Sequence, residues 1–257
     1  MFGKQALFMA LAAGALSAQE ATIPPVPFAV GEQLVYDLRL KLGVLSLGRV
    51  GTGRMEVAGI EMVRGRSAYH LVFTVQGGTV GFRVDDRYES WVDTETFASL
   101  RHVQRIHEGG YSRNTTYEFY PSRATYTKNG GEERPSVELP LDDGSFIYYL
   151  RTLAMRTGER REVHRYFKPA QNPVVLVASR TDRIDVPAGR FDAVVLQPAI
   201  RGGGLFAEGG RAELWMSTGP QPVMVRMTTH LAFGTIVLSL RSIQAGNQLL
   251  AAAEATP

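Results

Sequence analysis

Apolar and polar residues alternate along most of this chain. Leu34, Tyr36, Leu38, Leu40 and Leu42 share one parity, while Gln33, Asp37, Arg39 and Lys41 occupy the other. A period of two puts the apolar side chains on one face of an extended segment, the mark of a half-buried antiparallel strand. A second run with Val44, Leu45, Val50, Met55 and Val57 follows, with Gly48, Gly51 and Gly53 inside it. Glycines within a strand predict bulges or sharp curvature, as in a sheet that bends around something. Tyr69, Leu71, Phe73 and Val75 alternate in the same way, as do Phe82, Val84 and Tyr88, and then Tyr117 and Phe119. Turn-forming pairs such as Gly77-Gly78, Gly109-Gly110 and Pro121-Ser122 separate the runs. Further runs near 163–167, 174–177, 191–196, 212–216, 223–227 and 235–240 bring the expectation to about a dozen strands.

One segment departs from this rhythm. Phe146, Tyr149, Leu150 and Leu153 recur at helical spacing. Asp142 or Asp143 can cap the start by accepting hydrogen bonds from the first-turn amides. Gly158 can end the helix in a left-handed turn, with Arg156 near the negative end of the dipole. The spacing predicts one helix over roughly 143–157, which must bury its stripe against the sheet. The expected fold is mainly β: a curved antiparallel sheet or half-open β-barrel of about a dozen strands, with one amphipathic helix packed on the concave side. A proline-rich lead-in at 23–27 precedes a single β-rich domain over 28–243, and 244–257 reads as a loose C-terminal tail.

The N-terminus changes the expected compartment. Lys4 precedes an apolar run from Ala6 to Ala13, followed by small residues at Ala15, Ser17 and Ala18. This is the pattern of a secretory signal peptide over residues 1–18, cleaved after Ser17 or Ala18. About 13 apolar residues are too few to span a bilayer, which takes about 20, and no transmembrane segment is expected later. The location implied is periplasmic or secreted. A chain of 257 residues with 44% hydrophobic and 21% charged content excludes a disordered tail protein and a polytopic membrane protein. Its core is large enough to do without staples, in keeping with zero cysteines. That absence removes disulfides, thiolate metal sites and cysteine nucleophiles. The 28 basic and 25 acidic residues are interleaved, with no basic patch of the kind that binds nucleic acid.

Candidate chemistry is sparse. Asp86 shares its strand face with Val84 and Tyr88, whereas Asp85, Arg87 and Glu89 point the other way. A carboxylate on an apolar face needs a partner. It is either a polar anchor or general base in a cavity, or a group bonded to an arginine or a turn at the sheet's rim. The five histidines show no metal-ligand spacing, and no nucleophile elbow or phosphate-binding loop occurs. No metal, cofactor or catalytic residue is expected. Leu205 and Phe206 lie between a triple and a double glycine, as an apolar-tipped lid over a hydrophobic cavity or as a hairpin tip tucked into the core. Tyrosines at 111, 117, 120, 126, 148 and 149 either line a groove or pair across strands. The candidate ligand-binding set is Leu205, Phe206, Tyr149 and Asp86.

Five stretches together resemble an exported bacterial family catalogued as domain of unknown function thirty-one hundred and eight. They are residues 28–36; 84–93, with Asp86, Glu89 and Ser90; 143–151; 186–193; and 213–217, followed by Pro222-Val223. The resemblance runs from about residue 28 to 243. It implies an envelope protein and carries no catalytic residue with it. A looser likeness to half-open barrels that carry lipoproteins or lipids in the periplasm is a fold-level analogy.

These readings make the chain a non-enzymatic periplasmic binding or carrier protein for a lipid or other hydrophobic ligand. One competing reading is a structural or assembly factor docked on another envelope protein by an edge strand. The other is a hydrolase of an envelope polymer using Asp86 and Glu89. Their opposite strand faces count against that pair.

Overall fold

A computed structural model describes residues 25–43, 45–199, 212–231 and 234–246; the signal-like segment, Leu205 and Phe206, and the end of the tail lie outside the described residues. The alternating runs become fourteen strands. β1 (Gln33–Leu42), β2 (Leu45–Val63), β3 (Arg66–Thr79), β4 (Phe82–Asp93), β5 (Ser99–Glu108), β6 (Tyr111–Tyr120), β7 (Thr125–Lys128) and β8 (Arg134–Pro135) form one antiparallel meander. β9 (Arg160–Val163), β10 (Val174–Val186), β11 (Gly189–Ala199), β12 (Glu213–Ser217), β13 (Met224–Leu231) and β14 (Gly234–Gln244) form a second. β14 pairs with β1, which fuses the two meanders into one open sheet with β8 and β9 at its edges.

Curvature comes from the glycines and bulges. A side chain at Gly51 would collide with the Gln76 carbonyl and come within 2.8 Å of the Gly77 Cα, so β2 and β3 cross closer than side chains permit. The β1–β2 register slips after Leu38 and the β2–β3 register after Val57. The inner face is apolar: Leu34 and Tyr36 of β1, Met55 and Val57 of β2, Leu71 of β3 and Leu238 and Leu240 of β14 are buried in one core. Burial fades along β1, however, and Leu42 at the β1–β2 turn is 39% exposed.

The chain between the two edges crosses the inner side and carries α1 (Asp143–Leu150). Asp142 caps the helix by accepting from the Gly144 and Ser145 amides at 2.8 and 2.9 Å. Ser145 returns the bond to the Asp142 amide, completing a capping box. Phe146, Ile147, Tyr148 and Leu150 are all buried against the sheet core. The helix is shorter than its apolar spacing predicts. After Leu150 the Thr152 and Leu153 amides turn back on Tyr149 and Leu150. Gly158 does not cap the helix; its amide bonds the Ala178 carbonyl of β10 at 2.8 Å.

The residue that follows the last turn of α1 is anchored in the core. Arg151 is 1% exposed, with Nη1 and Nη2 donating to Glu32 at 2.6 and 2.9 Å. Its Nε donates to the Pro222 carbonyl at 2.7 Å and Nη2 to the Pro27 carbonyl at 3.1 Å. The guanidinium lies 5.4 Å from the Phe28 ring centre. One side chain thus ties the end of α1 to the lead into β1 and to the β12–β13 turn. A buried pair broken on one side leaves an unpaired charge, at a cost of about 3–5 kcal/mol. Arg151→Ala should lower the urea-unfolding free energy by about that amount, and Arg151→Met combined with Glu32→Leu should recover more than half of it.

Candidate functional site

Three polar constellations sit on β4 and its neighbours. Under the start of α1, Ser90 donates to Asp142 Oδ1 and Ser99 to Asp142 Oδ2, both at 2.6 Å. His102 Nδ1 lies 3.1 Å from Ser90 Oγ, 3.3 Å from Asp142 Oδ1 and 2.9 Å from the Glu89 carbonyl. Its Nε2 faces the Gln104 amide nitrogen at 3.1 Å. That amide donates, so Nε2 is the acceptor and Nδ1 carries the proton toward the Glu89 carbonyl. A serine relay needs the hydroxyl and the carboxylate on opposite ring nitrogens. Here both crowd Nδ1, and Ser90, His102 and Asp142 are at most 1% exposed. The cluster is a docking joint for the helix. A side chain at Gly144 would come within 2.7 Å of Ser90 Oγ, so glycine lets the first turn sit on the strand.

Asp86 lies on the same face of β4 as Ser90, toward the β3–β4 turn, in a strand whose pairing with β3 has no register shift. It is buried and accepts the His107 backbone amide at 3.0 Å, beside the β5–β6 turn. The bond runs to the backbone of β5 near the rim, and both readings open for Asp86, structural anchor and polar group of a cavity, are compatible with it. Burial pushes its pKa up to about 6, opposed by the His107 amide and reinforced by Glu108. Glu89 lies on the opposite face. Burial would raise its pKa, but hydrogen bonds from Arg87 and Arg105 hold it at about 2. His70 also contacts it, at 3.1 Å.

Around Asp86 the inner face is less completely covered. Phe73 and Tyr88 stack as a cross-strand pair with ring centres 6.1 Å apart, and both are half-buried. Val75, directly opposite Asp86, is also half-buried, as are the paired Leu40 and Ile236. The Thr229 hydroxyl of β13, opposite Ile236, is buried without a partner among the described residues. Tyr149 belongs elsewhere. It packs on Phe97 in the β4–β5 connection, with Arg165 5.1 Å from its ring centre, at the other end of the sheet from Asp86. Asp86 and Tyr149 are therefore not brought together, and the calls on Leu205 and Phe206 fall outside the described residues. Of the tyrosines, 117, 126 and 148 are buried, while Tyr111 is exposed.

A family model described as a protein of unknown function, DUF3108, matches residues 35–241. The chain belongs to this family. No curated protein matches it. Among solved structures, a β-barrel-like protein of another domain of unknown function, DUF1849, from Brucella abortus matches with a TM-score of 0.55. The identity is 10%, over 86% of this chain and 99% of that one, so the likeness shows the fold alone. A Bacteroides fragilis protein described as exported with a YmcC-like fold has 12% identity over 87% of this chain and 99% of its own, with a TM-score of 0.32. A Parabacteroides distasonis protein described as a lipoprotein has 10% identity over 88% and 100%, also with a TM-score of 0.32. Those two matches carry no argument here.

The stretches that suggested DUF3108 turn out to be joints. Residues 28–36 supply Phe28 and Glu32, 143–151 supply α1 and Arg151, and Pro222 follows 213–217, so three of them meet at one guanidinium. The stretch 84–93 supplies Ser90, which meets the helix start. The sequence reading missed these joints, although β5 held a signal: His102 and Gln104 share the parity of Ile106 and are buried as it is. No described helix is long and apolar enough to cross a membrane.

The raised pKa of Asp86 means that the fold favours its protonated form. Its contribution to stability is present at acid pH and is lost as pH rises from about 4 through about 6. Asp86→Asn keeps an oxygen for the His107 amide and cannot ionise. It should raise the melting temperature by about 2–4 °C at pH 8, and the two proteins should melt together near pH ~3.5, as followed by circular dichroism.

Proposed function

We propose that this chain is an exported, non-enzymatic binding or carrier module for a lipid or other hydrophobic ligand, taken up at the end of the inner face that carries the β3–β4 and β5–β6 turns. The observation that carries the reading is the set of half-buried apolar side chains there, Leu40, Phe73, Val75, Tyr88 and Ile236, beside the buried polar groups Asp86 and Thr229. An apolar lining with a few fixed polar groups is the composition of a small-molecule site. The middle of the hollow is closed by α1 and the buried core around it, so a guest is accommodated beyond the helix start and not along it.

The competing readings have less support. The edge strands β8 and β9 are two and four residues long, which offers little ladder for a partner strand. Asp86 and Glu89 stay on opposite faces of a strand without a bulge, so they do not flank one bond of a polymer. Ser90, His102 and Asp142 are consumed by the helix joint.

The reading is tested with the chain from residue 19 onward and the fluorescent probe N-phenyl-1-naphthylamine. The wild type should bind it, and Phe73→Asp and Val75→Asp should each weaken binding about tenfold or more, the scale of losing a buried apolar side chain. Met62→Asp, at the far end of the sheet, should bind as the wild type does. A wild type that binds no probe, or rim variants that bind normally while keeping their melting temperature, would overturn the carrier reading. Mass spectrometry of lipid extracted from the purified chain identifies any guest.

A further inference from the structure

The exposed large apolar side chains are not scattered. Leu42, Leu45, Val80, Phe82 and Tyr111 are 39%, 57%, 107%, 50% and 53% exposed. All five flank or occupy the β1–β2, β3–β4 and β5–β6 turns, which an antiparallel meander puts at one end of the sheet. Only Met62 and Ile243 among the exposed large apolar residues described lie at the other end. The tips are continuous with their neighbours. A side chain at Gly109 would come within 2.9 Å of the Phe82 ring, and one at Gly234 within 3.0 Å of Leu42 Cδ2. The β1–β2 hairpin extends past β3, whose described pairing with β2 begins only at Gly51, while β14 follows β1 as far as Lys41.

A second observation lies beside this fringe. A groove of about 380 Å³ on the outer face of β12, β13, β14, β1 and β2 reaches the same end, lined by Arg39, Lys41, Trp215, Arg226 and His230 among others. Its one lining carboxylate, Glu213, is already bridged by Arg180 at 2.8 Å. Arg39, Lys41 and Arg226 have no ion-pair partner within 4.0 Å among the described residues. The indole of Trp215 is held by a bond from its N–H to Asp182 Oδ2 at 2.9 Å, with the Arg226 guanidinium 5.9 Å from the ring centre. Among the described residues near the tips, Glu108 is an exposed carboxylate and Asp85 a half-buried one that already accepts from Gln76 at 3.0 Å.

We propose that this end of the sheet docks on an anionic phospholipid bilayer, with the turn tips inserted at the interface and the Arg39–Lys41–Arg226 groove facing a lipid phosphate. Apolar side chains on separate hairpins present a row of points and no cleft, which fits a flat, deformable surface better than a folded partner. Lys41 and Arg39, without ion-pair partners among the described residues, stand behind the apolar fringe, and Arg226, bonded at 3.4 Å to Ser239 and the Asp185 carbonyl, continues the groove away from it; that sequence matches the order of acyl and phosphate layers in a leaflet. The docking rests on the outer fringe and groove, and it stands whether or not the inner rim holds a guest.

Vesicle flotation of the chain from residue 19 onward, which holds every described element, tests it without the apolar N-terminal run. Binding should be about tenfold or more stronger to vesicles containing phosphatidylglycerol than to phosphatidylcholine alone, and should fall as salt rises. Leu45→Asp and Phe82→Asp should each abolish flotation, and Lys41→Glu with Arg226→Gln should remove the preference for the anionic lipid. Met62→Asp should float as the wild type does, and melting temperatures confirm that each variant is folded. No wild-type flotation, or tip variants that still float, overturns the proposal. So does an affinity for inorganic phosphate without vesicle binding, or a dimer that Phe82→Asp dissolves with flotation unchanged. Loss of probe binding in the rim variants with flotation intact would separate the two activities.

Discussion

The architecture depends on a short helix bolted at both ends by buried polar groups. An eight-residue helix has no stability of its own in water. Asp142 holds its start to β4 and β5 through Ser90 and Ser99, and Arg151 holds its end to Glu32 and the Pro222 carbonyl. Burying these groups is expensive, and they are tolerated because nearly every lone pair and proton around them is used. The arrangement sets position as much as stability. An apolar plug could slide within a curved sheet, whereas a guanidinium shared among three segments defines one place.

That placement divides the inner face. Around and beyond the helix, the side chains of both meanders close on Phe146, Ile147, Tyr148 and Leu150. Toward the turn end the strands continue past the helix start, and nothing among the described residues covers Phe73, Val75 and Tyr88 to the same depth. Asp86 sits in this zone with a carboxyl that burial holds near neutrality of charge at mildly acid pH. The proposed guest site and the proposed membrane-facing fringe are therefore at the same end, an economical arrangement for a molecule that exchanges an apolar ligand with a bilayer.

Most of the fold was legible in the chain because strand periodicity is local. Leu34, Tyr36 and Leu38 declare the inner face of β1 without knowledge of what they touch, and Gly51 and Gly53 announce curvature because no side chain fits where strands cross closely. Helix length was legible only in part. The apolar spacing runs on to Leu153, yet the helix ends at Leu150, and Arg151 just beyond it pairs with Glu32, 119 positions away.

By itself, then, the sequence determined an antiparallel sheet that bends, a single helix between its halves and a carboxylate on the wrong face of β4, since each follows from neighbours within a few residues. Only the tertiary structure decided which groups meet. It brought Ser90, Ser99, His102 and Asp142 into one network, separated Tyr149 from Asp86, and gathered Leu42, Leu45, Val80, Phe82 and Tyr111 at one end, near Arg39 and Lys41, which have no ion-pair partner among the described residues. The physical reason is that hydrogen bonds and charge pairing act between atoms a few ångströms apart, and the order of residues along a chain does not say which distant segments the sheet will bring within that reach.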